Sequence, residues 1–274
     1  MECNVDGESN MFTQAKDISK RRELQQLMQD WKALINTKAP IVFPDDGKAY
    51  AAIDYFNDDG FFPGYFSTEN TKILFLGRES RYSSGKDRVS NDLQWFQQCA
   101  ASGSSYWRRI LYLTYGIQSR GKYTFEQIPE ANTILFDMVK KNHYGFAIMN
   151  ISKYSNDADN GATADFHLIN QFLKDSDLRK RNFIREEIAL LEPDIIIAAN
   201  LWESKICKES LELIFPSNDF TGQRTVENIA NLWNFQLGSR KIKFLDLYHF
   251  STPGSDKDLF YDPVMHLLFN SSVE

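Results

Sequence analysis

The sequence predicts an α/β protein, a three-layer αβα sandwich with a mostly parallel four-stranded central sheet. Four short apolar runs, separated by long stretches of helical pattern, are typical of parallel strands that are buried on both faces. Each run ends abruptly in polar residues, and parallel strands place their carboxyl ends on one edge, where open α/β sheets bind ligands. The predicted strands are 72–77, 146–150, 195–199 and 242–248.

The elements alternate between helix and strand along the chain, which is the arrangement that produces a covered parallel sheet. An amphipathic helix is predicted over 13–35, where apolar side chains recur at helical spacing. The sequence over 40–66 is rich in turns, so we expect residues 1–69 to form a helix and loop extension packed on an α/β domain of residues 70–274. The other predicted elements are helices over 91–101, 105–115, 126–141, 165–191, 201–214 and 262–269, with the region 222–237 connecting to the last strand.

The composition is that of a soluble globular protein, with 42% hydrophobic and 25% charged residues. No apolar stretch approaches the roughly 20 residues that a membrane helix needs, so we expect no membrane association. The three cysteines are too few and too scattered for a disulfide scaffold or a zinc site. We therefore expect a cytoplasmic monomer, and we predict neither a metal nor a cofactor.

The net charge of −6 argues against binding nucleic acid over the whole surface, but one segment is basic. Residues 72–125 contain nine basic and three acidic side chains, interleaved with many aromatic ones. Basic and aromatic side chains together suit phosphate contacts and base stacking. A solvated basic face over an aromatic core explains the same pattern equally well, and both interpretations stay open at this point.

The polar residues after the first strand, 77–80, exclude two common nucleotide-binding motifs. They are not followed by the Gly-Lys-Ser/Thr of a P-loop, and they lack the glycine spacing of a dinucleotide fingerprint. Gly77 permits close approach of the backbone to a ligand, and a helix starting after this turn would offer N–H groups and a positive dipole end to an anion or a polarised carbonyl.

Taken together, the four strand ends resemble the motifs of the uracil-DNA glycosylase superfamily. That family has a strand running into Gly-x-[Asp/Glu/Asn/Ala]-Pro, a second strand ending in Asn-x-x-Lys, a Leu-x-Pro pattern before a buried strand, and a last strand ending in His-Pro-Ser. The resemblance covers residues 70–270, in the family's order. The matching segments are Gly77-Arg78-Glu79-Ser80, Asn150-Ile151-Ser152-Lys153, Leu191-Glu192-Pro193 and His249-Phe250-Ser251.

The resemblance implies hydrolysis of the N-glycosidic bond of uracil or another modified base in DNA, single- or double-stranded. His249 matches the histidine that hydrogen-bonds the base carbonyl as negative charge develops, and Asn150 matches the asparagine that recognises the flipped base. Glu79 stands where one branch of the family has a water-activating aspartate. The predicted catalytic residues are therefore Glu79, His249 and Asn150, and the predicted substrate-binding residues are Gly77, Arg78, Ser80, Tyr82, Lys153, Asn200 and Ser251.

Two departures from the family pattern leave alternatives open. Ser80 and Phe250 replace the prolines of the first and last motifs, so both loops can differ in shape. One alternative is a module of the same fold that binds nucleic acid or a nucleotide without cleaving it. Another is a hydrolase of a small phosphoester or other nucleotide metabolite, with Arg78, Arg81 and Lys153 as anion ligands.

Overall fold

The computed structural model describes residues 5–42, 47–81, 93–156 and 164–270. Its main feature is a mixed sheet of seven strands, in the order β3-β6-β4-β8-β11-β10-β9. The strands of this sheet are β3 (Gly60–Phe61), β4 (Ile73–Gly77), β6 (Phe146–Asn150), β8 (Ile195–Ala199), β9 (Phe220–Val226), β10 (Ala230–Leu237) and β11 (Arg240–Leu247). Two small pairs are β1 (Ile41–Val42) with β2 (Ala49–Tyr50), and β5 (Ser80–Arg81) with β7 (Ser155–Asn156).

The α/β class is confirmed, but the prediction of a four-stranded sheet is wrong. The four predicted strands are present as β6, β4, β8 and β11, and neighbouring strands among them pair in parallel. Antiparallel strands extend this parallel centre on both sides, with β3 beside β6 and β10 and β9 beyond β11. The region 222–237, which the sequence analysis left as a connection, supplies most of β9 and β10.

Helices pack on both faces of the sheet, and the predicted helices differ from them mainly at their bounds. The predicted helix over 165–191 is two helices separated by a turn, and the one over 201–214 begins only at Lys208. The helices are α1 (Val5–Ile35), α2 (Leu93–Ala101), α3 (Ser105–Gln118), α4 (Ala131–Lys141), α5 (Phe166–Asp175), α6 (Phe183–Leu191), α7 (Lys208–Ile214) and α8 (Asp262–Met265). Turns of π type at Lys257–Tyr261 and His266–Asn270 flank α8. None of the helices in the described ranges is both long and apolar enough to cross a bilayer.

Alternate residues of the central strands enter two separate hydrophobic cores. In β4, Leu74 and Leu76 face the core formed with α1, α5, α6 and α7. Ile73 and Phe75 face the opposite core, formed with α2, α3, α4 and the C-terminal helical segment. Because both faces are covered, β4, β6 and β8 are apolar up to the residues at their carboxyl ends, whereas β11 includes the exposed Lys241 and Lys243 and the half-buried Asp246.

The N-terminal residues contribute to the first of these cores and to the sheet itself. Trp31 of α1 is fully buried, stacks on Phe183 of α6 at 5.1 Å between ring centroids, and donates a hydrogen bond from its indole to Ser176. Strand β3 adds to the edge of the main sheet beside β6. The segment before residue 70 therefore shares its packing with the rest of the chain.

A buried cluster of three charged side chains joins this N-terminal segment to the sheet. The Lys153 ammonium has no accessible surface and lies 2.7 Å from both Asp59 and Glu187 carboxylate oxygens. Burial raises the pKa of Glu187 to about 7, because transfer from water disfavours its ionised form more than Lys153 favours it. Asp59 and Lys153 hold each other in place whatever the state of Glu187, since a buried charge without a partner is costly.

The raised pKa of Glu187 makes stability depend on pH. A carboxyl whose pKa is higher in the folded chain binds protons more tightly there, so its contribution is present below pH 4.5 and is lost as the pH rises through about 7. The quantity to follow is the difference in free energy of unfolding between the wild type and Glu187→Gln. We expect this difference to fall by up to about 3 kcal/mol between pH 5 and pH 8. Urea unfolding at four pH values measures this difference. Glu186→Gln is the control, since that carboxylate pairs with Arg181 at the surface, and a constant difference for Glu187→Gln would contradict the assignment.

Candidate functional site

The ends of β4 and β6 meet at the carboxyl edge of the sheet, where Gly77 is in register with Asn150. The Asn150 amide is buried, its oxygen lies against Gly77, and its nitrogen donates to the Ser80 hydroxyl at 3.2 Å. A Cβ atom at Gly77 would overlap the Asn150 oxygen, so glycine is required here for close approach. The Ser80 hydroxyl fixes the orientation of the Asn150 side chain.

Arg78 presents a half-buried guanidinium beside the ring of Phe166, at 5.4 Å from the ring centroid. Among the described residues its Nε atom has no hydrogen-bond partner, and burial lowers the pKa of the guanidinium. The nearby charges of Glu79, Glu203 and Asp246 partly offset this effect. A guanidinium with spare donors at a sheet edge is suited to bind an anion or a carbonyl oxygen.

Asp246 is the second ionisable group at this edge whose environment is unusual. One of its oxygens accepts a hydrogen bond from the Leu201 N–H at 2.9 Å, which ties the end of β11 to the end of β8. Burial raises the pKa of Asp246 to about 7, against the opposing effects of the backbone donors and Arg78. Perturbed carboxyls in such positions are typical of functional sites.

The Glu79 carboxylate lies at the start of α5. One oxygen accepts hydrogen bonds from the Asn156 side chain and from the Asp165 backbone N–H, both at 3.1 Å. Asp165 in turn caps α5 by accepting from Leu168. Glu79 therefore orders the loops around β5 and β7 in this conformation, as a carboxylate at the positive end of a helix commonly does.

His249 follows β11 in a tight turn, with its ring half-buried against Tyr106 of α3. Its Nδ1 atom accepts a hydrogen bond from the Ser251 N–H at 3.2 Å, and Thr252 N–H bonds back to the His249 carbonyl. A neutral imidazole that accepts at Nδ1 carries its proton on Nε2. This arrangement leaves Nε2 as the hydrogen-bond donor of the His249 ring.

Phe250 anchors this turn to the sheet. Its buried ring packs against Phe75 of β4, with 5.7 Å between centroids, and against Tyr106 and Phe260. The contact with Phe75 brings the turn over the sheet toward β4. The ends of β6 and β11 are three strand spacings apart, or about 14 Å.

Arg109 of α3 holds the same turn from inside the protein. It is almost fully buried, and its guanidinium donates to the carbonyl groups of Phe250, Thr252 and Gly254 and pairs with Asp256 at 2.7 Å. A planar guanidinium with five donors can satisfy several carbonyls at once, which lysine cannot do. Arg109 is therefore a positioning residue for His249.

The remaining predicted site residues lie at or beneath this edge. Lys153 is buried and donates to the Asn150 carbonyl at 3.0 Å, which explains the three-residue spacing of the motif. Asn200 has a left-handed backbone (φ 55°), and its N–H donates to Leu247. Ser251 is exposed beside His249. Tyr82, predicted as a stacking residue, lies outside the described residues.

Several side chains of the basic and aromatic segment 72–125 are buried inside the protein. Arg108 and Arg109 both pair with Asp256. Phe96, Trp107 and Tyr112 belong to the hydrophobic core on this face. These five side chains match the interpretation of an aromatic core beneath a basic face, so they do not form a stacking surface.

Two residues of the site, Asp246 and Arg109, were not singled out from the sequence. Asp246 lies near the end of a largely apolar strand, and a carboxylate in that position is the sequence signal that could have identified it. Arg109 was counted only as part of the basic segment, and no sequence pattern shows that it turns inward. Among the described residues, no group of three or more His, Cys, Asp or Glu side chains is arranged to hold a metal ion.

Comparison of the chain with protein-family models and with curated proteins gives no match in either case. The resemblance to the uracil-DNA glycosylase superfamily therefore rests on the motif residues and on their positions at the sheet edge.

Replacing Arg109 tests its role in the turn. We expect Arg109→Lys to lower the free energy of unfolding by about 2–4 kcal/mol, because three carbonyls lose donors in a buried place. It should also broaden or shift the His249 ring resonances in a ¹H–¹⁵N NMR spectrum. Arg108→Lys is the matched control, since Arg108 pairs with the same Asp256 from a more exposed position. Equal effects of the two substitutions would contradict the role given to Arg109.

Proposed function

We propose that this protein is a DNA glycosylase-like hydrolase that cleaves the N-glycosidic bond of uracil or another modified base. The observation that supports the proposal is that two site residues lie at the same edge of the sheet. Asn150 is at the end of β6, and His249, whose Nδ1 atom accepts a hydrogen bond, follows β11. In this reaction the base departs with negative charge on its carbonyl oxygen, and water adds to the sugar carbon.

His249 is the proposed stabiliser of the departing base. Its Nε2–H can donate to the base carbonyl, and the bond becomes stronger as charge develops on that oxygen. The Ser251 N–H and the Arg109 contacts hold the turn before a ligand arrives. A donor that is already oriented costs no reorganisation at the moment of reaction.

Asn150 is the proposed base-recognition residue. An amide offers one acceptor and two donors, which is the pattern that the lactam edge of uracil requires. The bond from its nitrogen to Ser80 holds the side chain in one orientation, and Lys153 donates to the backbone carbonyl of the same residue. Arg78 is the proposed ligand for a phosphate or a second carbonyl.

The proposed water-activating group is Glu79, on the basis of the motif resemblance. Its hydrogen bonds with Asn156 and Asp165 favour a second candidate function, a module that binds a base without cleaving it, because they commit the carboxylate to loop contacts. A third candidate is hydrolysis of a nucleotide metabolite. It is favoured by the half-buried Arg78, which can bind an anion, and by the net negative charge of the chain, which disfavours binding to duplex DNA. Base release by the wild-type protein separates the first candidate from the second, and Glu79→Gln should then abolish that release and leave binding intact.

A base-release assay tests the proposed activity. The purified protein is incubated with single- and double-stranded oligonucleotides that carry uracil or hypoxanthine, and abasic sites are revealed by alkali. We expect cleavage at one of these bases, and we expect His249→Ala to lower kcat/KM by about 10² or more with little change in stability. His266→Ala, at an exposed histidine of the C-terminal helical segment, is the control and should keep full activity.

Three results of this assay have different meanings. Release that His249→Ala retains would contradict the role of His249. No release, together with oligonucleotide binding that His249→Ala or Asn150→Ala weakens, would favour the binding module. Neither release nor binding would leave the nucleotide-metabolite hydrolase, which is tested with phosphate release from nucleotides.

The pH dependence of binding tests the neighbourhood of Arg78. Asp246 is neutral below its pKa of about 7 and negative above it, so its ionisation reduces the positive potential at Arg78. We expect the affinity of the wild type for an oligonucleotide to weaken from pH 6 to pH 8 by about 3- to 10-fold more than the affinity of Asp246→Asn weakens over the same range. Fluorescence anisotropy at constant ionic strength measures this. Parallel pH profiles for the two proteins would rule out the link.

A further inference from the structure

A pocket of about 360 Å³ lies beside the antiparallel edge of the sheet, where residues of β9 and β10 form part of its wall. This volume is sufficient for a side chain or a small ligand. Its walls combine four aromatic rings with one carboxylate and several neutral polar groups. The lining residues are Trp202, Glu212, Phe215, Ser217, Phe220, Thr221, Gly222, Gln223 and Trp233.

Trp202 forms an exposed aromatic wall of this pocket. Its side chain is 44% exposed, although four rings support it from below and beside. It packs edge-on against Phe244 at 5.3 Å and Phe220 at 5.8 Å, and lies tilted beside Trp233 at 5.6 Å. A tryptophan held this firmly offers its exposed ring surface to a ligand at little entropic cost.

Glu212 supplies a negative charge to the same pocket. Its carboxylate accepts hydrogen bonds from the Ser217 N–H at 2.8 Å and from the Ser217 hydroxyl at 2.7 Å. These bonds lower the pKa of Glu212, so the side chain stays ionised at neutral pH. The pocket therefore combines aromatic faces with a fixed anion.

Elsewhere in this chain, cationic side chains already cover aromatic rings. Arg21 lies over Phe61, Arg109 over Phe260 and Arg181 over Phe183, each at 4.0–4.4 Å from the ring centroid. Over the described ranges, no lysine or arginine lies on the ring of Trp202 or Trp233. The strongest cation-binding rings of the pocket are therefore open to a cation from outside.

We propose that this pocket binds an organic cation, an ammonium or guanidinium head group that rests on Trp202 and faces Glu212. Charge complementarity supports this class of ligand, because the pocket contains a carboxylate and no basic side chain. A nucleobase would gain from stacking on Trp202, but its phosphate would meet the charge of Glu212. The pocket does not include the sheet-edge residues, so this proposal does not depend on the proposed function.

Ligand-detected NMR tests the proposal with choline chloride and with 3,3-dimethylbutan-1-ol, which has the same shape and no charge. Saturation transfer from the intact protein should reach the choline methyl groups, with a dissociation constant on the order of 1 mM, and binding of the neutral alcohol should be about 5- to 30-fold weaker. Nα-acetylarginine amide is titrated in parallel. Tighter binding of this amide than of choline indicates a basic side chain of a partner polypeptide, and the reverse indicates a free ammonium compound.

Two substitutions identify the site, with a matched control. Glu212→Gln keeps an acceptor for Ser217 and removes the charge, and Trp202→Phe keeps an aromatic wall, so neither should disturb folding. We expect each to weaken choline binding at least about 5-fold, while Phe136→Ala, at an exposed ring on α4, should not. Equal binding of choline and the alcohol, uridine binding in place of choline, binding that Glu212→Gln leaves unchanged, or no binding of any probe would each overturn the proposal.

Discussion

The buried ion pair between Lys153 and Asp59 is the interaction on which the candidate site depends. A fully buried ammonium needs carboxylate partners, and here Asp59 comes from the segment before the sheet while Glu187 comes from α6. The same ammonium donates to the carbonyl of Asn150, and Asp59 accepts from the Asn150 N–H. The end of β6 is therefore fixed by charges drawn from three distant parts of the chain. Trp31, with the ammonium 5.3 Å from its ring centroid, closes this cluster from α1.

Arg109 has the corresponding role on the opposite face of the sheet. Lys153 supports Asn150 from the core that contains α1 and α6, and Arg109 supports the His249 turn from the core that contains α3. Each of the two site residues is thus held from inside by a buried cation and its carboxylate. Because such pairs stabilise one geometry more than they add net stability, their presence beneath both residues fits a site that must be oriented before a ligand binds.

The sequence was sufficient for the parallel centre of the fold and insufficient for its edges. The strands β4, β6 and β8 are covered on both faces, so their apolar runs are continuous and end sharply, and in β11 the apolar run is interrupted by Lys243 and Asp246. In β10 the buried positions change phase between Leu232 and Phe235, where the pairing with β9 shifts register, and the alternation that marks a strand is lost. In the candidate site, the positions of Asn150 and His249 at strand ends were enough to select them from the sequence. Whether Arg109 faces solvent or the interior depends on carbonyl groups about 140 residues away in sequence, which no local pattern contains.

The central claim is that Asn150 and His249 act together on one base. The most direct measurement is a titration of the ¹⁵N-labelled protein with free uracil, following the His249 imidazole nitrogens and the Asn150 side-chain amide by NMR. The account predicts that both groups shift with one dissociation constant, that the His249 proton stays on Nε2, and that Ser80→Ala changes the Asn150 shift more than the His249 shift. If uracil and hypoxanthine, titrated separately, both move neither group, or move one of them in the absence of the other, the two residues do not form a base-binding site and the account is wrong.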